Sequence, residues 1–576
     1  MIKETIKKNI PSFLISWYHF LLALGGAIFY WFPSRKIIVI GVTGTNGKST
    51  VVELTAKILD YNPPTASSRS LRERAPEAGQ KVASLSSIKF KIRDKEWSND
   101  LKMTMPGRFQ LQKFLRQAVR TGCKYAVLEV TSEGILQHRH RFINFEVAVF
   151  TNLTPEHIEA HGSFENYRLA KGKLFRATKE IHIINLDDKN SEYFLNFKSK
   201  EKYGYGISAE NQKPNIKHIK AEDIQIHSSG IKFLAKNAQF NLSLLGGFNI
   251  YNALAAICVG LSQGIDLETL KSALEKIKGI PGRMEIVITD PLKVFVDFAF
   301  TPAALDKVYQ TLKPEKKRMI CVLGACGGGR DKWKRPVLGE IAAKHCNEVI
   351  VTNEDPYDEN PMEIIEQVSK GTGGKAKKIL DRRKAINSAL KLAQPGDTVI
   401  ITGKGSEPWM CVAEGKKIPW DDRKIVKEEF KKNRTMKEYE VLEHKADLRI
   451  RAFGKAKEEL FLNMLKGMTE SQKSELREEK TRKIIKISSP DLAALLVDFL
   501  SEILSLSQIN KEAYSKANFK KFTDPSISSG QVEIEAEILG QKIERFGEDI
   551  KAVTYHELDV HQREDGIWEA TVLFDI

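Results

Sequence analysis

The chain has 576 residues, 42% of them hydrophobic and 28% charged, with a formal charge of +16; this exceeds one ordinary core, points to about three to four domains and excludes a largely disordered protein. The charge suits RNA, an acidic membrane surface or anionic substrates but also an unremarkable basic surface, so it leaves direct nucleic-acid binding undecided. The six cysteines, Cys123, Cys258, Cys321, Cys326, Cys346 and Cys411, form no Cys-x-x-Cys pair, which fits a reducing cytoplasm.

The first regular stretch, Ser12 to Phe32, is uncharged and rich in Phe, Leu, Trp and Tyr, with Lys7 and Lys8 before it and Arg35 and Lys36 after it. It has the roughly 20 residues needed to cross a bilayer. Ser16 and His19 interrupt it, Pro33 follows, and no small-residue cleavage site is evident. Membrane contact through 12–32, interfacial or spanning, and a helix packed on the next domain are equal readings.

The β-branched run Ile37 to Ile40 then leads into Gly41-Val-Thr-Gly44-Thr45-Asn46-Gly47-Lys48-Ser49-Thr50, with helix-forming residues from Val51 to Leu59. A strand, a glycine turn and a helix start make a phosphate cradle: inward N–H groups, a positive helix end, Lys48 for a β/γ-phosphate and Ser49 for Mg²⁺. Five residues separate Gly41 from Gly47, one more than in the general P-loop. After a Pro-, Ser- and Arg-rich loop at Asn62 to Gly79, Tyr125 to Val130 and Val147 to Asn152 read as buried parallel strands. Glu129 ends the first, where a crevice opens in α/β sheets, and is a candidate Mg²⁺ ligand, with a helix-capping or exposed carboxylate as the alternative. The second runs into Thr154-Pro-Glu-His157, Glu159 and His161, a cluster suited to metal or phosphate chemistry but weak by itself.

These blocks, with His161-Gly-Ser-Phe-Glu-Asn166, Ala170-Lys-Gly-Lys-Leu-Phe175, Gly246 to Ala256 and Ile280-Pro-Gly-Arg-Met-Glu285, closely resemble the central domain of the Mur ligase family, nearest to UDP-N-acetylmuramoyl-tripeptide synthetases. The resemblance implies an α/β, P-loop central domain at 37–283, preceded by the apolar segment 1–36. It implies that Gly44 to Thr50, Asn249, Arg283 and Asp297 hold ATP, and that Ser49, Glu129 and His157 hold metal. It further implies that Lys171 is the lysine carbamylated in this family, which turns a cation into a carboxylate-like group for a second metal. Lys48, Glu129, His157 and Lys171 are the implied catalytic set, acting on a carboxylate acceptor and an amino-acid-like substrate.

Strands at Val294–Val296, Met319–Leu323, Glu348–Thr352 and Thr398–Thr402 alternate with helical stretches and predict a second, doubly wound α/β domain at 284–433. Val296-Asp-Phe-Ala-Phe-Thr-Pro302 matches a family string except that Phe298 replaces Tyr and Phe300 replaces His. In Gly324-Ala-Cys-Gly-Gly-Gly-Arg-Asp-Lys332, Arg330 and Lys332 are suited to phosphates. Synthetases that add diaminopimelate carry Asp-Asn-Pro-Arg, whose arginine forks onto a carboxylate; here Glu354-Asp-Pro-Tyr357 stands instead, and Ser406 replaces a common His. The stretch before Gly41 has no room for the family's uridine-nucleotide domain, which argues against a UDP-carrying acceptor and leaves another carboxylate, a lipid-linked one included, as the expectation.

After the polar stretch Lys431 to Thr435, Met436 reads as an old start inside a fused chain. Tyr439 to Leu448, Arg451-Ala-Phe-Gly454, Glu458 to Phe461, Lys551 to His556 and Trp568 to Ile576 resemble archease, an α+β protein, over 437–576. The helical stripe Leu460, Phe461, Met464, Leu465 and Met468, a helix at 491–505 announced by the start signal Ser488-Ser-Pro490, and the alternation Val532, Ile534, Ala536, Ile538 agree with an α+β domain. The resemblance implies a tRNA-splicing RNA ligase as partner and a divalent metal, Ca²⁺ included, held by Asp447, Asp575 and the carboxylate of Ile576. Lys445 and Arg449 replace Thr and Gly of the archease opening and bring positive charge there. Three readings follow: an ADP-forming amide ligase acting through an acyl phosphate, an RNA ligase activator on an inactive Mur-like scaffold, and two independent activities.

Overall fold

The computed structural model describes residues 11–576 apart from 62–80, 102, 209–212, 315, 435–437, 443–446, 524–531 and 564–565. The loop expected at Asn62 to Gly79 and the readings of Lys7, Lys8, Met436 and Lys445 therefore lie outside the described residues. The chain forms two compact units, Met1–Lys431 and Lys432–Ile576.

The first unit opens with helix α1, Ser12–Phe29. A nine-stranded sheet follows, built from β1 Ile38–Thr43, β2 Val82–Leu85, β3 Lys89–Ile92, β4 Lys95–Ser98, β5 Tyr125–Glu129, β6 Phe145–Phe150, β7 Ile181–Asn185, β8 Glu201–Gly206 and β9 Lys217–Lys220, in the order β4-β3-β2-β5-β1-β6-β7-β8-β9. Only β3 runs against the other strands, antiparallel to both β2 and β4. β1, β5 and β6 are continuous apolar runs because both faces are covered. On one face α2, Lys48–Asp60, and the helix Phe248–Ser262 bury Val51, Leu54, Ile58 and Leu254. On the other, α3, Arg108–Arg120, and the helix Phe164–Ala177 bury Leu111, Leu115, Leu174 and Phe175. Strand order reverses at β1, so its C-terminal end opens into the crevice where ligands bind in such sheets.

A three-stranded antiparallel sheet, β10 Glu222–His227, β11 Gly230–Ala235 and β12 Ala238–Leu242, precedes the second α/β layer. That layer has six strands, β13 Glu285–Ile288, β14 Lys293–Asp297, β15 Met319–Leu323, β16 Glu348–Thr352, β17 Ala376–Ile379 and β18 Thr398–Thr402, in the order β13-β14-β18-β15-β16-β17. Cores lie on both of its faces, as the alternation of strands and helices predicts, and an antiparallel pair, β19 Trp409–Cys411 and β20 Lys417–Pro419, follows it. The helix Asp422–Arg434 runs through most of the stretch read as a polar junction.

α1 packs on α3, with Phe109 against Gly25 and Gly26. Ala23 and Ala27 are buried, and Ser16 Oγ lies 2.8 Å from His138 Nε2. The packed-helix reading therefore holds for this face.

The second unit is α+β. One sheet has the order β21-β22-β27-β26, from Tyr439–Leu442, Leu448–Gly454, Trp568–Asp575 and Ala552–Gln562; the other, β23-β25-β24, from Glu475–Ser489, Val532–Arg545 and Glu512–Thr523. The stripe Leu460 to Met468 is buried on the helix Lys457–Ser471. The second helix begins within a residue of the expected start and runs five residues further: Ser488 and Ser489 belong to β23, and Asp491 caps Leu492–Asn510 by accepting from Ala494 N. That helix is long and apolar enough to cross a membrane, but Leu495, Leu496, Phe499, Leu500 and Ile503 make it the core of this unit.

Candidate active site

The glycine loop joins β1 to α2 at the crevice. Gly47 has φ +83°, and a Cβ there would lie 2.4 Å from Asn252 Oδ1; at Gly44 a Cβ would lie 1.9 Å from Thr151 Oγ1. Only glycine fits either place. The loop is pinned by Thr45 N donating to Asn152 O (2.8 Å), Asn46 N to Asn152 Oδ1 (2.9 Å) and Asn152 Nδ2 to Asn46 O (3.0 Å). The N-terminus of α2 faces the crevice with its unpaired N–H groups, which favours anions.

Lys48 Nζ donates to Thr45 O at 2.7 Å and lies 3.9 Å from Glu129 Oε1; burial lowers its pKa and Glu129 raises it again. Ser49 Oγ donates to Glu129 Oε2 at 2.8 Å, and Ser87 N donates to the same oxygen at 2.9 Å. Arg283 reaches across to donate to the hydroxyls of Ser49 (3.3 Å) and Ser87 (3.1 Å). Ser49 and Glu129 thus offer two hard oxygens at the loop's end, a donor set suited to Mg²⁺, which keeps waters and takes phosphate oxygens as its other ligands. Among the described residues no group of three or more His, Cys, Asp and Glu could hold an ion.

His157 has φ +57° and Nδ1 3.5 Å from Glu133 Oε1. Burial, then Arg330, pushes its imidazole down to about 2, leaving the neutral, ligating form. Lys171 is 1% exposed; its Nζ donates to Gly44 O at 2.7 Å and lies 4.5 Å from the Tyr167 ring centroid. Burial, then Lys48, lowers its pKa well below the usual lysine range.

From the second α/β layer, Asp297 accepts from Met284 N (2.7 Å) and Ala299 N (2.6 Å), holding the turn that carries Arg283, whose guanidinium lies 4.4 Å from the Phe298 ring centroid. Thr301 Oγ1 donates to Asn46 Oδ1 at 3.2 Å. Asn249 donates to Leu245 O and accepts from Asn252, which backs Gly47. Thr45 to Thr50, Glu129, His157, Asn249, Arg283 and Asp297 all line one cleft of about 440 Å³. Gly44 and Lys171 are not in its lining.

In the second unit Leu448 of β22 pairs with Phe574 of β27, so Asp447 and Asp575 follow at the same end of these strands. Lys551 Nζ donates to Ile576 O at 3.1 Å, and Arg449 pairs with Glu557 at 3.3 Å. The three proposed ligands share one sheet end, although the described residues there form no metal-holding group of His, Cys, Asp and Glu.

Residues 42–260 match the Mur ligase middle domain, and residues 282–405 match the Mur ligase glutamate ligase domain. A UDP-N-acetylmuramoyl-L-alanyl-D-glutamate–2,6-diaminopimelate ligase of Syntrophomonas wolfei is 37% identical over 421 residues, 71% of this chain and 81% of that protein. The chain belongs to the Mur ligase family. A UDP-N-acetylmuramyl-tripeptide synthetase of Roseiflexus is 34% identical over 442 residues, 72% of this chain and 82% of that protein. Folylpolyglutamate synthase of Mycobacterium tuberculosis, solved with ADP and AMPPCP, shares the fold at TM-score 0.51 and 18% identity, covering 66% of this chain and 92% of that one. Residues 439–576 match the Archease protein family.

Three residues of this Mur ligase site, Glu156, Asp331 and Lys334, take their roles from partners far away in the chain. Glu156 and Lys334, 2% exposed each, pair at 2.7 Å, and Asp331 accepts from Ile158 N and Glu159 N. Both strings are visible in the sequence, but nothing in it says that they meet. Arg330 faces the cleft and lies 3.2 Å from Glu133, whereas Lys332 turns away to Glu359. Phe300 lies under the Lys334 ammonium at 4.9 Å, so an aromatic face stands where the family has histidine. Tyr357 closes on Gly328. Lys404, fully buried, is neutralised by Asp355 (2.8 Å) and Glu407, so it offers no free charge in place of the arginine that Tyr357 replaces.

Proposed function

We propose that residues 37–433 form an ATP-dependent ligase that joins an amine to a carboxylate and releases ADP and phosphate, with domains at 37–283 and 284–433. The observation that carries this reading is the convergence of Thr45 to Thr50, Glu129, His157, Arg283 and Asp297 on one cleft. ATP with Mg²⁺ supplies the phosphoryl group that activates the acceptor carboxylate as an acyl phosphate, releasing ADP; the amine then attacks the acyl carbon and displaces phosphate to form the amide. Lys48 and the α2 N-terminus hold the anionic end of the nucleotide and offset charge that builds during transfer. Ser49, Glu129 and neutral His157 are the metal-facing groups. Burial and Lys48 favour the neutral amine of Lys171, the form that adds CO₂ to give a carbamate, which would be a second anionic ligand behind the loop. Asn249, Arg283 and Asp297 frame the nucleotide.

The Syntrophomonas wolfei relative is named for UDP-N-acetylmuramoyl-L-alanyl-D-glutamate and 2,6-diaminopimelate. With Tyr357 and the neutralised Lys404, the amine taken here is an amino-acid-like molecule recognised differently from diaminopimelate. The test is a screen of carboxylate acceptors and amino acids with ¹⁸O in the acceptor carboxylate. The reading expects an amide by mass spectrometry and one ¹⁸O in each released phosphate; an amide formed with unlabelled phosphate refutes the acyl phosphate.

The match over 439–576 supports a second activity. Residues 437–576 activate a tRNA-splicing RNA ligase and bind a divalent cation through Asp447, Asp575 and the Ile576 carboxylate. Adding the full chain to such a ligase should raise its multiple-turnover rate, and Asp575→Asn should remove the gain. No gain with the full chain refutes this part. Undiminished RNA ligase activation by a chain that forms no amide would instead favour the scaffold reading.

A further inference from the structure

We propose that the chain docks on an anionic lipid bilayer through the outer face of α1, with the helix lying in the plane of the surface rather than crossing it. The inference stands apart from the ligase chemistry. At 3.6 residues per turn Trp17, Leu21 and Ile28 fall within about 40° of one another on α1. They are 61%, 56% and 56% exposed, and Phe13, Leu14 and Phe29 widen the stripe on either side. Ser16, Ala23 and Ala27, which meet the ligase body, lie on the opposite side of the helix. Single exposed apolar residues need no explanation, but a continuous stripe of them along a helix does. Trp31, 77% exposed, and Phe109 carry the stripe past the helix end and onto α3.

The charge around the stripe selects the occupant. Residues 11–36 and 101–128 contain no Asp or Glu. Arg35 and Lys36 are exposed just beyond α1. On α3, Lys113, Arg116 and Arg120 share the side of Phe109, the residue that lies under Gly25 and Gly26. An apolar stripe rich in Trp and Tyr, on a helix and beside a second helix that carry cations and no carboxylate over 11–36 and 101–120, matches an acyl boundary beneath anionic headgroups. A second copy would bring the same cations against themselves, which opposes pairing of two such faces.

The geometry also fixes the mode. Eighteen residues of helix reach about 27 Å, short of a hydrocarbon core of about 30 Å. Crossing would strip Ala23 and Ala27 from their packing and break the Ser16–His138 contact. Lying in the interface uses the inner face for the protein and the outer face for lipid at once.

The test is flotation of the full chain with vesicles of phosphatidylcholine, with and without phosphatidylglycerol. The proposal expects flotation with the anionic vesicles and little with the neutral ones. It expects release by alkaline carbonate and a floated fraction cut about tenfold or more by Trp17→Ser with Leu21→Ser and Ile28→Ser. Those positions are exposed, so the melting temperature should hold, which separates lost docking from lost folding. Lys48→Ala should float as the parent does, which keeps this result independent of the ligase reading. No flotation with anionic vesicles, or undiminished flotation of the triple variant, overturns the docking face. Carbonate resistance overturns the in-plane mode.

Discussion

The buried pair Glu156–Lys334 gives the sharpest energetic prediction. The two side chains are 3% and 2% exposed and 2.7 Å apart, and they join the segment that carries His157 to the one that carries Arg330. The second oxygen of Glu156 has no hydrogen-bond partner, so Lys334 is what compensates its charge. Removing one partner of such a pair costs about 3–5 kcal/mol because the other is left buried and uncompensated. Glu156→Gln strands the Lys334 ammonium. Lys334→Met strands the carboxylate, which can escape by taking a proton; burial already pushes Glu156 up, so this variant should be less damaged at pH 5.5 than at pH 8. The double variant should cost less than the sum of the two by about 2 kcal/mol or more. Urea unfolding followed by tryptophan fluorescence measures all four corners. Single losses below about 1 kcal/mol, or strict additivity, would refute the reasoning.

Two further outcomes follow from buried groups near the cleft. Burial pushes Glu354 up to about 7 from an ordinary 4.5. Between these values the folded chain holds more protons than the unfolded one, so this group's contribution is full below pH 4.5 and is lost as pH rises through 7. The loss is about 3 kcal/mol at 1.36 kcal/mol per unit, and Glu354→Gln should flatten the decline in stability from pH 5 to 8; an unchanged slope would contradict it. Gly47→Ala places a Cβ 2.4 Å from Asn252 Oδ1 at φ +83°, a conformation costing an alanine about 1–2 kcal/mol before the clash. Calorimetry should show ATP binding weakened by at least about tenfold, and an unchanged affinity would sink the argument.

Local patterns carried much of the fold. β1, β5 and β6 are legible because strands buried on both faces are continuous apolar runs, and the glycine loop because Gly44 and Gly47 mark close approaches that no other residue tolerates. The start of the helix at Leu492 was legible to within a residue from Ser488-Ser-Pro490, although β23 extends through Ser489 and Asp491 does the capping. Residues whose meaning depends on a distant partner were not legible. Glu156 and Lys334 are 178 positions apart, and Asp331 acts on a helix end at Ile158. The apolar run at 12–32 showed its composition in the sequence but not its two faces, because both are apolar and no polar stripe marks the boundary.

The central claim is that the cleft below Lys48 spends ATP on joining an acceptor carboxylate to an amine. Its most direct test is ADP release by the full chain and by Lys48→Ala, with MgATP and a mixture of carboxylate acceptors and amino acids added together or singly. The account predicts release that needs both substrate classes and falls to background in Lys48→Ala; release that ignores the substrates, or that survives the substitution, would contradict it.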